Sequence, residues 1–181
     1  RGEKTVLVTI ETNVGKFSAS APNGKSKGKH EAKSYKKDLQ GDIKTLKQFS
    51  TYFSEDEIEK FEDLRRVEDT VDRHIGANTL FALEAAVLKA LAKEKKKEVW
   101  QLLNPQAKKF PRLVGNCIGG GLHSNTQGKK PDFQEFLLIP NTGSVKENFE
   151  AMKSIKRQVE TSLKASDEKF QGKINDEGAW Q

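Results

Sequence analysis

The apolar residues of this chain change their spacing twice, and these changes restrict the folds that it can adopt. Near the start they alternate with polar residues, so that Val6, Val8 and Ile10 share one face, as in a half-buried strand. From residue 43 to residue 91 they recur every three or four residues, which is typical of amphipathic helices. After residue 110 short apolar runs return. This order predicts an α+β domain followed by the beginning of a second unit.

The first part of the chain contains the signals of a hairpin and of three helices. Asn13 to Gly15 predict a turn, and Lys16–Ala21 can return as the second strand. Residues 23–29 carry two glycines and alternating lysines without an apolar face, which predicts a loop. Helical apolar stripes then follow around Ile43, after a Ser54–Glu57 capping-box spacing, and from Asn78 onward.

The second part begins after two prolines and predicts two strands, a helix and a further strand. The apolar runs Leu113–Ile118 and Phe133–Ile139 are short enough for buried strands. Ser144 and Glu147 repeat the capping-box spacing, and the apolar face that follows extends to Leu163. Residues 173–175 read as the start or middle of another strand.

The charge of the chain raises the hypothesis of a nucleic-acid-associated module. Its 181 residues carry a formal net charge of +6, and six lysines lie within residues 25–37. That stretch holds only one aromatic residue, Tyr35, so it does not predict a stacking platform for bases. An electropositive entrance for a small anionic substrate explains the same lysines, and nucleic-acid binding is therefore not the main role that we predict.

Other bulk features indicate a cytoplasmic protein seen as a fragment. No apolar run approaches the roughly 20 residues of a membrane-spanning helix, and no secretory signal is visible. The single cysteine, Cys117, excludes an internal disulfide and fits a reducing compartment. The chain starts at Arg1 and stops at Gln181 close to strand patterns, so we expect that it is a piece of a longer protein.

Several segments together resemble the enolase family, in the same order along the chain. The sequence from Arg1 to Val6 resembles a first N-terminal strand of that family, and Asn23–Ala32 looks like its mobile loop, S-G-A-S-T-G-x-H-E-A. The remaining similarities are to four short motifs of the family, G-A-N, N-x-I-N-G-G-x-H, D-x-Q-E-F and G-D-E-G. These correspond to Gly76–Asn78, Asn116–His123, Asp132–Phe136 and Asn175–Gly178.

The resemblance implies an α+β N-terminal domain of antiparallel strands followed by helices, and then the first part of an enolase-type β/α barrel. We expect the N-terminal domain to cover residues 1–108 and the barrel to begin in residues 109–181. A complete barrel needs roughly 250 residues. Only 71 residues follow residue 110 (181 minus 110), so at least half of the barrel would lie outside this chain.

The resemblance also implies a reaction, the Mg²⁺-dependent dehydration of 2-phosphoglycerate to phosphoenolpyruvate in glycolysis and gluconeogenesis. Enzymes of this superfamily use a lysine or histidine base and one or two Mg²⁺ ions. The lysine base and the carboxylates that hold the first Mg²⁺ correspond to the part of the family pattern that this chain lacks. By itself the fragment is therefore expected to be inactive, and its parent protein is expected to be a cytoplasmic homodimer.

Five residues of this chain acquire roles through the resemblance. Glu177 would be the general acid that protonates the departing hydroxyl, and Glu135 would act with it on that group and on the substrate. Gln134 would hydrogen-bond within the site, and His123 would close over the substrate. Ser26 would bind the second Mg²⁺ once the mobile loop closes; hydroxyl oxygen is a suitable ligand for this ion.

The chain also departs from the family pattern, which keeps a second hypothesis open. Lys25 and Lys27 stand where alanine and threonine are usual, Gly119 stands where an asparagine is expected, and Ala179-Trp180 follows Gly178 in place of a second glycine. These changes alter the surroundings of the acidic residues while Glu135 and Glu177 remain. The alternative is thus a catalytically silent, enolase-like scaffold or partner-binding protein.

Overall fold

The computed structural model describes residues 3–24, 27–53, 57–121, 124 and 132–181. The chain divides into two compact units, Arg1–Ala107 and Lys108–Gln181, and each is described by itself below. Assigning the units to an N-terminal domain and to the start of a barrel remains a prediction.

The first unit begins with the hairpin that the alternating pattern predicts. Strand β1 (Leu7–Thr12) pairs antiparallel with strand β2 (Gly15–Ser20), with Val8 opposite Ala19. Asn13 and Val14 form the connecting turn. Gly15 follows the turn at φ 126°, a value that side-chain-bearing residues rarely adopt, so glycine suits this end of the turn. The predicted hairpin is therefore confirmed.

The other regular elements of the first unit are helices. They are α1 (Leu39–Gln48), α2 (Leu64–Val71), α3 (Ala77–Glu94) and α4 (Val99–Leu103), with short 3₁₀ turns at Ser50–Phe53 and Phe61–Asp63. The long helix predicted to start near Asn78 is confirmed as α3. Antiparallel strands followed by helices make this unit an α+β domain, as expected from the sequence.

The core of the first unit lies between the hairpin and helices α2 and α3. Val6 and Val8 are buried, as the alternation in β1 requires, and they join apolar residues of α2, of α3 and of the turn between these helices. The buried helix and turn residues are Leu64, Val67, Val71, Ile75, Ala82 and Leu83. Alanines at 82, 86 and 90 let α3 approach the hairpin closely, because their side chains are short.

The predicted helix start at the Ser54–Glu57 spacing is wrong. Ser54 lies outside the described residues, but residues 57–60 are not helical and α2 begins only at Leu64. The Asp63 carboxylate accepts hydrogen bonds from the backbone N–H groups of Glu59 and Lys60, at 3.0 and 3.1 Å. Because these hydrogen bonds give the N–H groups of Glu59 and Lys60 an acceptor without helical geometry, α2 starts only at Leu64.

The second unit is built around strand β3 (Gly115–Gly119). Strand β4 (Glu135–Leu138) pairs antiparallel with it on one edge, and Trp180 forms a parallel bridge with Ile118 on the other. Helix α5 (Val145–Ser166) follows β4 and starts at the predicted cap, where Ser144 Oγ accepts a hydrogen bond from Glu147 N at 3.2 Å. Residues near 174 pair antiparallel with Trp180 and close a tight hairpin. These pairings agree with a barrel that opens with two successive strands.

Much apolar surface of the second unit is exposed within the described part of the chain. The α5 residues Val145 and Phe149 belong to the predicted apolar face, yet they are 43% and 53% exposed.

No helix among the described residues has the length and apolar character needed to cross a membrane.

Candidate functional site

Glu177 lies in a tight turn that its neighbour Asn175 organises. Asn175 is buried, and its side-chain Oδ1 accepts hydrogen bonds from Glu177 N at 3.0 Å and from Ala179 N at 2.9 Å. The backbone of Asn175 bonds both to Ala179 O and to Gly178 N. Gly178 has φ 80°, the left-handed conformation that closes such a turn. The turn therefore has a fixed shape, although the Glu177 side chain is exposed.

The turn is attached to β3 by backbone and side-chain hydrogen bonds. Trp180 N donates to Cys117 O at 2.9 Å, and Gly119 N donates to Trp180 O at 2.8 Å. Asn116, also on β3, donates from Nδ2 to Glu177 Oε2 at 2.9 Å. A carboxylate that accepts a hydrogen bond from a strand residue is oriented by that strand. The structure thus brings together Glu177 and an asparagine of the Asn116–His123 motif.

Helix α5 holds the same turn from another side through Lys156. Its Nζ donates to Gly178 O, and this ammonium group lies 5.0 Å from the centre of the Trp180 ring. In return, Trp180 Nε1 donates to Lys156 O at 3.1 Å. A cation over an indole face is attracted by the ring quadrupole. Sequence reasoning missed this contact, because nothing local relates Lys156 to a turn about 20 residues later.

Cys117 lies beside this arrangement and is a structural residue. It is 2% exposed, and burial raises the pKa of its thiol, although the nearby Lys156 ammonium offsets part of that rise. A buried thiol in its protonated form is a poor nucleophile and a poor metal ligand. Cys117 is therefore not a candidate nucleophile or metal ligand near neutral pH.

The structure places the predicted pair Gln134 and Glu135 on the opposite side of β3 from the turn. Glu135 is the first residue of β4 and stands opposite Gly119 in the register. Gln134 precedes the strand, has an exposed side chain, and accepts a hydrogen bond from Gly120 N through its backbone oxygen at 2.8 Å. Neighbouring residues within a strand point to opposite faces of the sheet. Because Gln134 lies outside the regular strand, this rule does not require the side chains of Gln134 and Glu135 to face opposite sides.

His123 and Ser26, the predicted substrate-binding and metal-binding residues, lie outside the described residues. Within the described ranges, no group of three or more histidine, cysteine, aspartate or glutamate side chains could hold a metal ion. These residues therefore do not by themselves provide the carboxylate-rich ligand set that Mg²⁺ prefers. The roles of all five predicted site residues remain predictions.

In the first unit, polar contacts anchor the two sides of the predicted loop at residues 23–29, which we call the lysine-rich loop. Asn23 Oδ1 accepts hydrogen bonds from Tyr35 OH and from Asn78 Nδ2, both at 3.2 Å. Lys33 O and Ser34 O accept from the first N–H groups of the α3 terminus, those of Ala77 and Asn78. The residues on either side of the loop are thus fixed to the helix that the Gly76–Asn78 motif opens.

Asp42 of α1 completes this anchorage from inside the unit. It is 1% exposed, and its two carboxylate oxygens accept hydrogen bonds from Lys36 N at 2.9 Å and from Gly76 N and Thr79 Oγ1 at 2.7 Å. Sequence reasoning did not single out Asp42, because an aspartate in the first turn of a helix is usually explained by the helix dipole.

Comparison with curated proteins gives matches along nearly the whole chain. It is 30% identical to the enolase of Methanosphaera stadtmanae over 191 residues, covering 99% of the chain and 45% of that protein. It is 31% identical to Enolase 2 of Pseudomonas syringae pv. tomato over 198 residues, again 99% of the chain and 45% of the relative. The enolase of Sulfurisphaera tokodaii is 29% identical over 191 residues, covering 98% and 45%. No family model matches the chain.

The fold and these matches together identify the family of the chain. Its first unit is an α+β domain of antiparallel strands followed by helices. By its similarity along nearly the whole chain, it belongs to the enolase family as a divergent member. The chain spans a little under half of the length of the curated relatives that it matches.

Proposed function

We propose that the protein containing this chain dehydrates 2-phosphoglycerate to phosphoenolpyruvate, with Mg²⁺ as its cofactor. In this reaction a base removes a proton next to the substrate carboxylate, and the hydroxyl on the neighbouring carbon leaves as water after protonation. The observation that carries the proposal is the placement of Glu177. Its carboxylate accepts a hydrogen bond from Asn116 on β3, and Asn175 and Lys156 fix the turn that carries it.

Glu177 is the residue that we propose as the general acid for the departing hydroxyl. A general acid must be oriented within hydrogen-bond reach of the group that it protonates. The Asn116 hydrogen bond and the fixed turn supply that orientation in this chain. Glu135 would assist Glu177 from β4, the strand that pairs with the other edge of β3. Gln134 and His123 would bind the substrate, and Ser26 would contribute to the second Mg²⁺ site.

Mg²⁺ would stabilise the negative charge that develops on the substrate carboxylate. The described residues include no group of three or more acidic, histidine or cysteine side chains that could hold such an ion. The resemblance implies that the lysine base also lies outside residues 1–181. Activity of the 181-residue chain alone is not expected, and dimerisation and a cytoplasmic location remain predictions.

The test is an assay of the protein with its native flanking sequence, supplied with 2-phosphoglycerate and Mg²⁺. Phosphoenolpyruvate formation is expected, and Glu177→Gln should lower kcat by roughly 10²- to 10⁴-fold, because the substitution removes the transferable proton. Glu168→Gln is the matched control, since Glu168 is an exposed glutamate of the same unit. A folded wild-type protein that forms no phosphoenolpyruvate would favour the alternative of a silent scaffold.

A further inference from the structure

The side chain of Asn175 fills the space directly above Gly119 of β3. A Cβ atom built on Gly119 would lie 2.5 Å from Asn175 Nδ2 and 3.4 Å from the Ala179 Cβ. Real Cβ atoms essentially never show a contact below 3.0 Å, so a side chain at 119 and the present Asn175 amide exclude each other. Asn175 is 4% exposed, and its Nδ2 has no hydrogen-bond partner among the described residues.

The two positions in contact both depart from the family motifs quoted for the resemblance, with asparagine and glycine interchanged. The motif N-x-I-N-G-G-x-H has its second asparagine where this chain has Gly119. The motif G-D-E-G has a glycine where this chain has Asn175. The asparagine thus stands on the turn in this chain and on the strand in the family pattern. The contact of 2.5 Å gives a physical reason why the present Asn175 amide requires glycine at position 119.

We infer that Asn175 is a positioning residue for Glu177, and that its amide is sterically coupled to Gly119 of β3. Asn175 Oδ1 binds the N–H of Glu177 itself, so it determines where the Glu177 backbone lies relative to β3. Gly119 is required because only a residue without Cβ leaves room for that amide. The catalytic consequence rests on the proposed function; the steric and hydrogen-bonding coupling does not.

A double-mutant cycle tests the coupling in the protein with its native flanking sequence. The variants are Asn175→Gly, Gly119→Ala, Gly119→Asn and the double variant Gly119→Asn/Asn175→Gly. Gly119→Ala alone should lower the thermal midpoint by about 5 °C, because its new methyl group meets the Asn175 amide. In the Asn175→Gly background the same Gly119→Ala change should lower it by less than about 2 °C.

The kinetic readout separates positioning from stability. Asn175→Gly should lower kcat roughly 10- to 100-fold with a smaller change in KM, because the Glu177 turn loses its fixed position while the protein stays folded. The double variant should recover kcat to within about threefold of the wild type, since the asparagine introduced at position 119 would occupy the space that the Asn175 amide leaves. Hydrogen exchange at the Glu177 and Ala179 amides should accelerate in Asn175→Gly and slow again in the double variant.

Asn148→Ala is the matched control, because Asn148 is also buried, belongs to the same unit and accepts a backbone N–H, that of Thr142 at 3.1 Å. It should lower the thermal midpoint without a selective loss of kcat. Additive effects at positions 119 and 175, in both thermal midpoint and amide exchange, would overturn the inference. If the wild type formed no phosphoenolpyruvate, the proposed function would fail, and the stability and exchange cycle would still decide the coupling.

Discussion

At the scale of single residues, this chain uses buried polar side chains to fix backbone segments that have no regular structure. Asp42 fixes the segment after the lysine-rich loop, and Asn175 fixes the turn of Glu177. A side-chain acceptor is effective here because buried N–H groups cost free energy if they lack a partner. Asn175 therefore supports the position of Glu177, and Asp42 supports the segment at Lys36, although neither residue is itself a predicted site residue.

Replacing Asp42 with alanine should destabilise the first unit by about 3 kcal/mol, because the substitution leaves buried donors without acceptors. Urea denaturation followed by circular dichroism measures the loss. Asp69→Ala is the control: Asp69 pairs with Arg65 at 3.1 Å on the exposed surface, and its loss should cost less than about 0.5 kcal/mol. Equal losses in the two variants would show that the Asp42 hydrogen bonds do not stabilise the fold.

Glu84 of α3 should make stability depend on pH. Partial burial raises the pKa of its carboxyl group above the ordinary value of 4.5, and the Glu68 carboxylate across the α2–α3 cleft raises it further. An acid with a raised pKa in the folded state stabilises the fold below pH 4.5. That contribution disappears as the pH rises through the folded-state pKa.

Glu84→Gln should therefore stabilise the protein at pH 7 and leave its stability unchanged near pH 3.5. The gain should stay below about 1 kcal/mol, because the group is partly exposed and solvent screens its charge. Thermal midpoints at the two pH values provide the measurement. Glu68→Gln removes the second cause, so the gains of the two substitutions should not add. A gain from Glu84→Gln of the same size at both pH values would contradict the linkage.

The candidate site could be predicted from sequence only where a residue belongs to a motif. Glu177 and Glu135 were found because their neighbours in sequence carry the resemblance. The contacts of Glu177 with Asn116 and of its turn with Lys156 were not found, since they join residues 61 and 22 positions apart. Such contacts depend on how β3, α5 and the turn pack, which no local pattern specifies.

At the scale of elements, patterns in sequence gave the type of each element more reliably than its ends. The alternation of Val6, Val8 and Ile10 and the cap at Ser144 were both confirmed. The start of α2 was wrong because Asp63 binds the N–H groups that a helix from Ser54 would have used. A capping-box spacing is a short signal, and a competing side chain nearby is enough to displace it.

Gly76, at the start of α3, should not tolerate even an alanine. A Cβ there would lie 2.3 Å from the Tyr35 Cα and 2.5 Å from Ser34 O, both backbone atoms of the segment that crosses the helix terminus. Gly76→Ala should cost about 3 kcal/mol in unfolding free energy, measured by urea denaturation.

Gly41→Ala is the matched glycine control on helix α1. Its new methyl group would lie 3.5 Å from the Asp38 carboxylate, an ordinary contact. Alanine is favoured over glycine in helices, so this variant should be as stable as the wild type or up to about 1 kcal/mol more stable. Similar losses at the two glycines would remove close approach as the reason for Gly76.

Helix α3 also needs small residues where it packs on the hairpin. Ala86 is fully buried, whereas its neighbour Ala85 is only partly buried, beside Phe81 in an open cleft. Ala86→Leu should destabilise the first unit by roughly 1–3 kcal/mol through overpacking. Ala85→Leu should change its stability by less than about 0.5 kcal/mol. Chemical denaturation of both variants gives the comparison, and a tolerated Ala86→Leu would show that the α3 contact can yield.

At the scale of the whole molecule, the two units differ in how much apolar surface they bury. Among the described residues, 14 of the 16 buried apolar residues belong to the first unit, and only Cys117 and Ala179 belong to the second. The second unit instead exposes large side chains just before β4, on β4 and on α5, including Phe133, Phe136 and Phe149. Since burial of apolar surface is the main driving force of folding, the two units should differ in independent stability.

We therefore expect residues 1–107 to fold by themselves and residues 108–181 to remain loosely packed when expressed alone. The first fragment contains the complete cluster of Val6, Leu64, Val67 and their neighbours, so its urea transition should be cooperative. The second should bind the dye ANS and lack a sharp thermal transition, as expected when secondary structure exists without fixed side-chain packing. Cooperative unfolding of residues 108–181 would mean that β3, α5 and the Glu177 turn hold together through their polar contacts alone. In that case the exposed aromatic residues would not indicate an incomplete core.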